Sequence, residues 1–248
     1  MRNIKLTIEY DGSRYSGWQR LGKDESDNTI ENKLLEIIKK MTGEESKTEI
    51  FCACRTEVGV HAYAQVANFK LNTDMNTKEI KQYFNRYLPM DIAVINVEDM
   101  PERFHASLNA KAKTYLYRIA IGEVPSVFDR KYTYYSFNTP DVQLMKEAGK
   151  LIVGKHDFKE FSNVKKSKAT IKEVYSIEIE QEKEEIKITI RANDFIHNMA
   201  RMLISTILDI GLGTRKTEEI TAIFNTKHAM RASLPASSQG LILKEIEY

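Results

Sequence analysis

Apolar positions recur along the chain with two periods, and the switches between them predict the elements. Ile4, Leu6, Ile8 and Tyr10 alternate with polar neighbours, as in a strand with one buried face, and Asp11-Gly12-Ser13 supplies the turn. Asn28 followed by Glu31 has the form of a capping box. Ile30, Leu34, Leu35, Ile37, Ile38 and Met41 then mark a helical face ending near Gly43. Alternation returns over 47–54, with Ile50, Cys52 and Cys54 on one face, and over 63–69 with Val66 and Phe69. Asn76 and Glu79 cap a second helix carrying Ile80, Tyr83, Phe84 and Tyr87, which Pro89 stops, and 91–97 reads as a strand.

That order, β-α-β-β-α-β, is the order of a ferredoxin-like unit, an antiparallel sheet covered by helices on one face. The second half repeats it. Residues 114–120 form a strand; Thr139-Pro140 opens a helix carrying Val142, Met145, Ala148 and Ile152, closed by Gly154. Residues 173–180 and 185–192 form a hairpin, 195–210 an amphipathic helix, 217–224 another helix, and 241–246 a closing strand. The prediction is an α+β fold of two similar halves, 1–105 and 106–248, with one continuous antiparallel sheet or two sheets meeting at a cleft for a large ligand.

Composition narrows the class. With 248 residues and 42% hydrophobic content the chain can bury one large core or two modest ones. No apolar run is long enough to span a bilayer, and the N-terminus enters a strand pattern without a signal-peptide core, so a cytoplasmic protein is expected. Cys52 and Cys54 are too close on one strand face to staple a fold. C-x-C without a second pair is poor zinc spacing, so packed, reduced thiols and no metal site are expected. The net charge of +2 identifies no polyanion partner, but the basic residues are uneven. Lys155, Lys159, Lys165, Lys166 and Lys168 crowd one segment, and Arg14 and Arg20 bracket Tyr15 and Trp18. Basic residues among aromatics suit phosphate contacts with base stacking; a solvated lysine face explains any single run as well.

The candidate chemistry lies where a polar cluster, Arg55-Thr56-Glu57, interrupts two strand patterns within Cys54–Ala62. A carboxylate beside a guanidinium stays ionised and oriented, as a nucleophile or base must; the alternative is a surface hairpin with an incidental ion pair. Gly12 and Gly17 would let backbone amides approach a ligand, with Arg14 and Arg20 as phosphate donors, or they belong to an ordinary loop around a buried Trp18. Tyr115 and Tyr117 share a strand face, as a platform for a base or as core aromatics. His156 and Asp157 read as an acid-base pair or as loop packing. Arg201 shares a helical face with His197, Asn198 and Ser205, opposite Phe195, Met199 and Leu203.

Taken in order, these stretches resemble the tRNA pseudouridine synthase A family across nearly the whole chain. The Cys54–Ala62 stretch is similar to the family's Gly-Arg-Thr-Asp-Ala-Gly-Val-His-Ala, and Tyr10-Asp11-Gly12-Ser13 to its opening segment. Phe104-His105-Ala106 with Lys113-Thr114-Tyr115-Leu116-Tyr117, Gly154–Phe158 with Phe161, and Phe195–Arg201 resemble its later motifs. The resemblance implies a shared antiparallel sheet with an RNA-binding cleft, a homodimer acting on tRNA, and no cofactor or metal. It implies catalytic roles for Glu57, Arg55 and Arg201, with Arg201 the partner of the Glu57 carboxylate. Tyr115 would stack on the target uracil, with Arg14, Thr56, His61, Phe104 and His105 as further substrate contacts and Arg20, Lys165, Lys166 and Lys168 as RNA contacts. In the family the carboxylate attacks the nucleoside, the uracil detaches and turns, and C5 rejoins the ribose.

Several positions depart from the pattern. Glu57 stands where the family has its nucleophilic Asp, Cys54 replaces Gly, Val58 replaces Ala, Ser107 replaces Arg, and Arg231–Gly240 differs from the family segment. The main reading is a synthase acting on the anticodon stem-loop. Its rivals are an inactive tRNA-binding paralogue and a general RNA chaperone.

Overall fold

The N-terminal alternation becomes strand β1 (Arg2–Tyr10), in which Ile4, Leu6 and Ile8 are fully buried. The computed structural model describes residues 1–19, 26–43, 48–164, 169–225 and 230–248. Its contacts divide into two units, Met1–Lys111 with Leu243–Tyr248, and Ala112–Ile242.

In the first unit β1 lies between β3 (His61–Leu71) and β4 (Ile92–Met100), antiparallel to both, so Leu6 faces Ala67 on one side and Val97 on the other. β2 is only Phe51–Cys52, paired with Asn68 and Ala67 of β3. The expected strand over 47–54 is therefore shorter, and Lys47 lies outside the described residues. Its C-terminal side leaves the ladder because a side chain takes it over: Gln65 donates to the Cys54 carbonyl at 2.6 Å and accepts from its N–H at 3.4 Å.

Helix α1 (Ile30–Thr42) is capped by Thr29, which accepts from Asn32 N, and ends on left-handed Gly43, φ 69°. Asn28, the expected cap, instead donates its amide to the Arg14 carbonyl at 2.6 Å. Helix α2 (Thr77–Tyr87) carries the capping box read from Asn76 and Glu79, and buries Ile80 and Phe84. Tyr87 of its expected apolar side is 40% exposed.

The second unit orders β5 (Ala112–Ala120), β9 (Glu185–Ala192), β8 (Ile171–Glu182) and β7 (Gly154–Asp157) as antiparallel neighbours. The two-residue β6 (Tyr134–Tyr135) runs parallel to β5, too short to show a period in sequence. Helix α3 (Val142–Ile152) is capped by Asp141, which accepts from Gln143 N and Leu144 N. It closes at Val153, so Gly154, φ 120°, opens β7 instead of ending the helix. Helix α4 spans Met199–Gly211, later than the periodicity indicates, because Asn198 takes φ 62° and breaks the helical path. Phe195, Ile196 and His197 therefore belong to the connection between β9 and α4. Helix α5 (Glu218–Asn225) and β10 (Leu241–Glu247) complete the elements. Among the described residues no helix is long and apolar enough to cross a membrane.

Candidate active site

The Arg55–Glu57 connection is built from a buried centre with polar ends. Thr56 is buried, Arg55 exposed and Glu57 half-buried, so the side chains alternate across the loop. Thr56 Oγ1 lies 2.7 Å from the Tyr10 hydroxyl, which also accepts from Gln65 Nε2 at 3.4 Å. Burial pushes the Tyr10 phenol above its ordinary pKa, so this network stays neutral. Gln65 has no exposed surface and spends its amide on Cys54 and Val66 backbone groups as well as on Tyr10. Every polar atom it buries has a partner, as a buried amide requires.

A second loop clamps the first. Trp18 N donates to the Thr56 carbonyl at 3.0 Å, and Val60 N to the Glu57 carbonyl at 3.2 Å. Of the two readings of Gly12 and Gly17, ligand approach or an ordinary loop around a buried Trp18, the geometry favours the loop: the backbone they admit is that of 56–60. A Cβ on Gly12 would sit 2.0 Å from the Val60 carbonyl oxygen, and one on Gly17, φ 89°, would sit 2.8 Å from that of Thr56. His61 is buried and its Nδ1 accepts from Gly12 N–H at 3.0 Å. Asp11 Oδ1 approaches the same nitrogen to 3.2 Å while receiving both Ser13 donors. Thr56 and His61 thus hold the loop, which leaves Glu57 as its partly accessible carboxylate.

In the second unit, Tyr115 is buried on β5 and meets the Phe195 ring edge-on at 5.0 Å. Tyr117, two residues on, is fully buried and donates to the Ser237 carbonyl at 3.0 Å; burial raises its pKa, and it belongs to the core. Arg201 lies in the first turn of α4, with Nε donating to the Ala236 carbonyl at 2.6 Å and Nη1 to Asn198 Oδ1 at 3.4 Å. His156 stacks on Phe224 at 4.3 Å, and Asp157 accepts from Lys159 N. This geometry favours the packing reading of His156 and Asp157 over an acid-base pair.

The remaining described candidates have partners of their own. Arg14 pairs with Asp91, which holds its guanidinium pKa up, and Tyr15 donates to the same carboxylate at 2.6 Å. Phe104 packs on Tyr248 at 5.1 Å, and its carbonyl accepts from Asn3 and Asn68. His105 Nδ1 accepts from Ser107 and Leu108 N–H groups, and its ring lies 4.5 Å from Phe51. Arg20, Lys165, Lys166 and Lys168 lie outside the described residues. Cys54 is buried and Cys52 half-buried, and neither is in a disulfide. Sequence reasoning missed Gln65 and the Lys113–Asp194–Lys172 cluster; a polar residue on the buried side of β3 was the signal for the former.

The family model described as "tRNA pseudouridine synthase" matches residues 6–108 and 148–248. The chain is 44% identical to "tRNA pseudouridine synthase A 2" of Bacillus anthracis over 249 aligned positions, covering 100% of both chains. It is 43% identical to the Clostridium perfringens protein of the same name, and 41% identical to "tRNA pseudouridine synthase A 1" of Clostridium tetani, again with 100% coverage of both.

Proposed function

This chain belongs to the tRNA pseudouridine synthase family, and on that premise we propose that it isomerises uridines of the tRNA anticodon stem-loop with Glu57 as nucleophile. The observation that carries the reading is the loop itself: its backbone is pinned by Gln65 and Trp18 and its Thr56 hydroxyl by Tyr10, while its one carboxylate remains partly accessible. A nucleophile must be held at near-attack geometry, and such a frame supplies that geometry. The enzyme is an isomerase. The N1–C1′ bond breaks, the C5–C1′ bond forms, the C5 proton passes to solvent, and N1 gains one, so the reaction consumes no co-reactant.

In this reading Arg201 is the charge partner of the Glu57 carboxylate and Tyr115 the surface on which the uracil turns. Arg55, Arg14, Phe104 and His105 contact the substrate, and the basic segment containing Lys165, Lys166 and Lys168, with Arg20, contacts tRNA phosphates. Tyr115 is buried, so a base reaches its ring only when the side chains around it give way. The protein would work in the cytoplasm as a homodimer.

Tritium release from tRNA labelled at uridine C5 tests the assignment under single-turnover conditions. Release by the natural chain and none by Glu57→Gln is the expected result. Retained release in Glu57→Gln would remove Glu57 from the chemistry, and absence of release from the natural chain, with tRNA still bound, would favour the inactive paralogue. Glu57→Asp sharpens the test. The side chain shortens by one C–C bond, about 1.5 Å, on a backbone tied at Cys54, Thr56 and Glu57. A misplacement of that size is expected to slow release on the order of a hundredfold.

A further inference from the structure

One carboxylate joins three strand ends in the second unit. Asp194, two residues beyond β9, accepts from Lys113 Nζ of β5 at Oδ1, 2.5 Å, and from Lys172 Nζ of β8 at Oδ2, 2.7 Å. β9 lies between those strands, so the carboxylate grips both of its neighbours. Burial pushes the Asp194 carboxyl up, but Lys113 and Lys172 outweigh it and hold the group below the usual carboxylate range. The Lys113 side chain is only 7% exposed, so its charge is withdrawn from water and needs this partner.

The position of the cluster gives it a second consequence. Lys113 and Tyr115 are two residues apart on β5 and therefore share a face. Phe195 directly follows Asp194 and presents its ring to Tyr115 edge-on, at an interplanar angle of 89°. The carboxylate thus fixes both sides of the Tyr115–Phe195 contact: the strand that carries one ring and the connection that carries the other. A buried ion pair contributes little net stability over apolar residues of the same volume, so the significance of this cluster lies in the two elements it ties together.

We propose that Asp194, through Lys113, is a positioning residue that sets the Phe195 ring against Tyr115 and thereby the orientation of the surface offered to the uracil. This rests on the reading of Tyr115 as that surface. Asp194 touches no reacting atom, and its effect passes through the aromatic contact.

The test uses Asp194→Asn in the full chain, read in two ways. First, with 3-fluorotyrosine incorporated and the Tyr115 resonance assigned by its loss in Tyr115→Phe, Asp194→Asn is expected to shift or broaden that ¹⁹F signal. Second, single-turnover tritium release is expected to fall about tenfold, the order for a sub-ångström displacement, with tRNA affinity changed less than twofold. In a Phe195→Leu background the same Asp194→Asn change is expected to leave the rate within twofold, because the route is already cut. An unmoved resonance, an equal loss in both backgrounds, or a loss of tRNA affinity alone would overturn the proposal. Should Asp194→Asn fail to fold, the double variant Lys113→Met, Asp194→Leu removes the more deeply buried lysine together with the carboxylate, leaves Lys172, whose side chain is 15% exposed, and carries the same expectations. If the natural chain releases no tritium, the functional reading fails, and the ¹⁹F signal still decides whether Asp194 orients Tyr115.

Discussion

Two short connections carry the candidate chemistry, and they are held by different means. The Cys54–His61 connection is fixed by neutral groups: the Gln65 amide, the Tyr10 and Thr56 hydroxyls, and backbone approaching glycine. The connection from β9 to α4 is fixed by ions, one Asp194 between two lysines. Exposure explains the choice. Gln65 has no exposed surface, where an unpaired charge would be costly, while the Asp194 side chain is 37% exposed, so water supports its charge.

The largest break in that comparison is expected from Gly12→Ala. Its new Cβ would lie 2.0 Å from the Val60 backbone oxygen, and neither partner is a flexible side-chain end. Overpacking against backbone costs about 3 kcal/mol or more, measurable by urea unfolding, and displacement of Val60 should carry tritium release down with it. Gln65→Leu comes next. It leaves Cys54 backbone groups without their partner, at a cost of about 1–3 kcal/mol, and a melting curve should show a loss at every pH, since nothing in that network ionises near neutrality.

The third break is on the ionic side, and its pH dependence separates the two. Asp194 has a folded pKa below its unfolded value, so its stabilisation is full above the unfolded value, about 3.9, and is lost as pH falls through the folded one. The melting-temperature difference between the natural chain and Asp194→Asn should therefore be constant near neutrality and shrink below about pH 4. Asp194 itself is partly exposed, but the Lys113 side chain is only 7% exposed, so most of the difference comes from the lysine that loses this carboxylate. A Gln65→Leu difference that shrank likewise would show that the two frames are not distinct.

Much of this molecule is set by neighbours in sequence. The capping box of Asn76 and Glu79, the left-handed stop at Gly43 and the alternation of Ile4, Leu6 and Ile8 act over a few residues, so the chain alone determined α1, α2, β1 and the element order of the first unit. The Arg55-Thr56-Glu57 interruption was legible for the same reason, as a polar break between two strand patterns. What tertiary structure decided was what each of those residues faces. Thr56 meets a tyrosine 46 positions away, Gln65 one 55 positions away, and Lys113 an aspartate 81 positions away. Such pairings leave no period in the sequence. They arise only when the sheet brings distant strands side by side, and burial then obliges each polar group to find a partner.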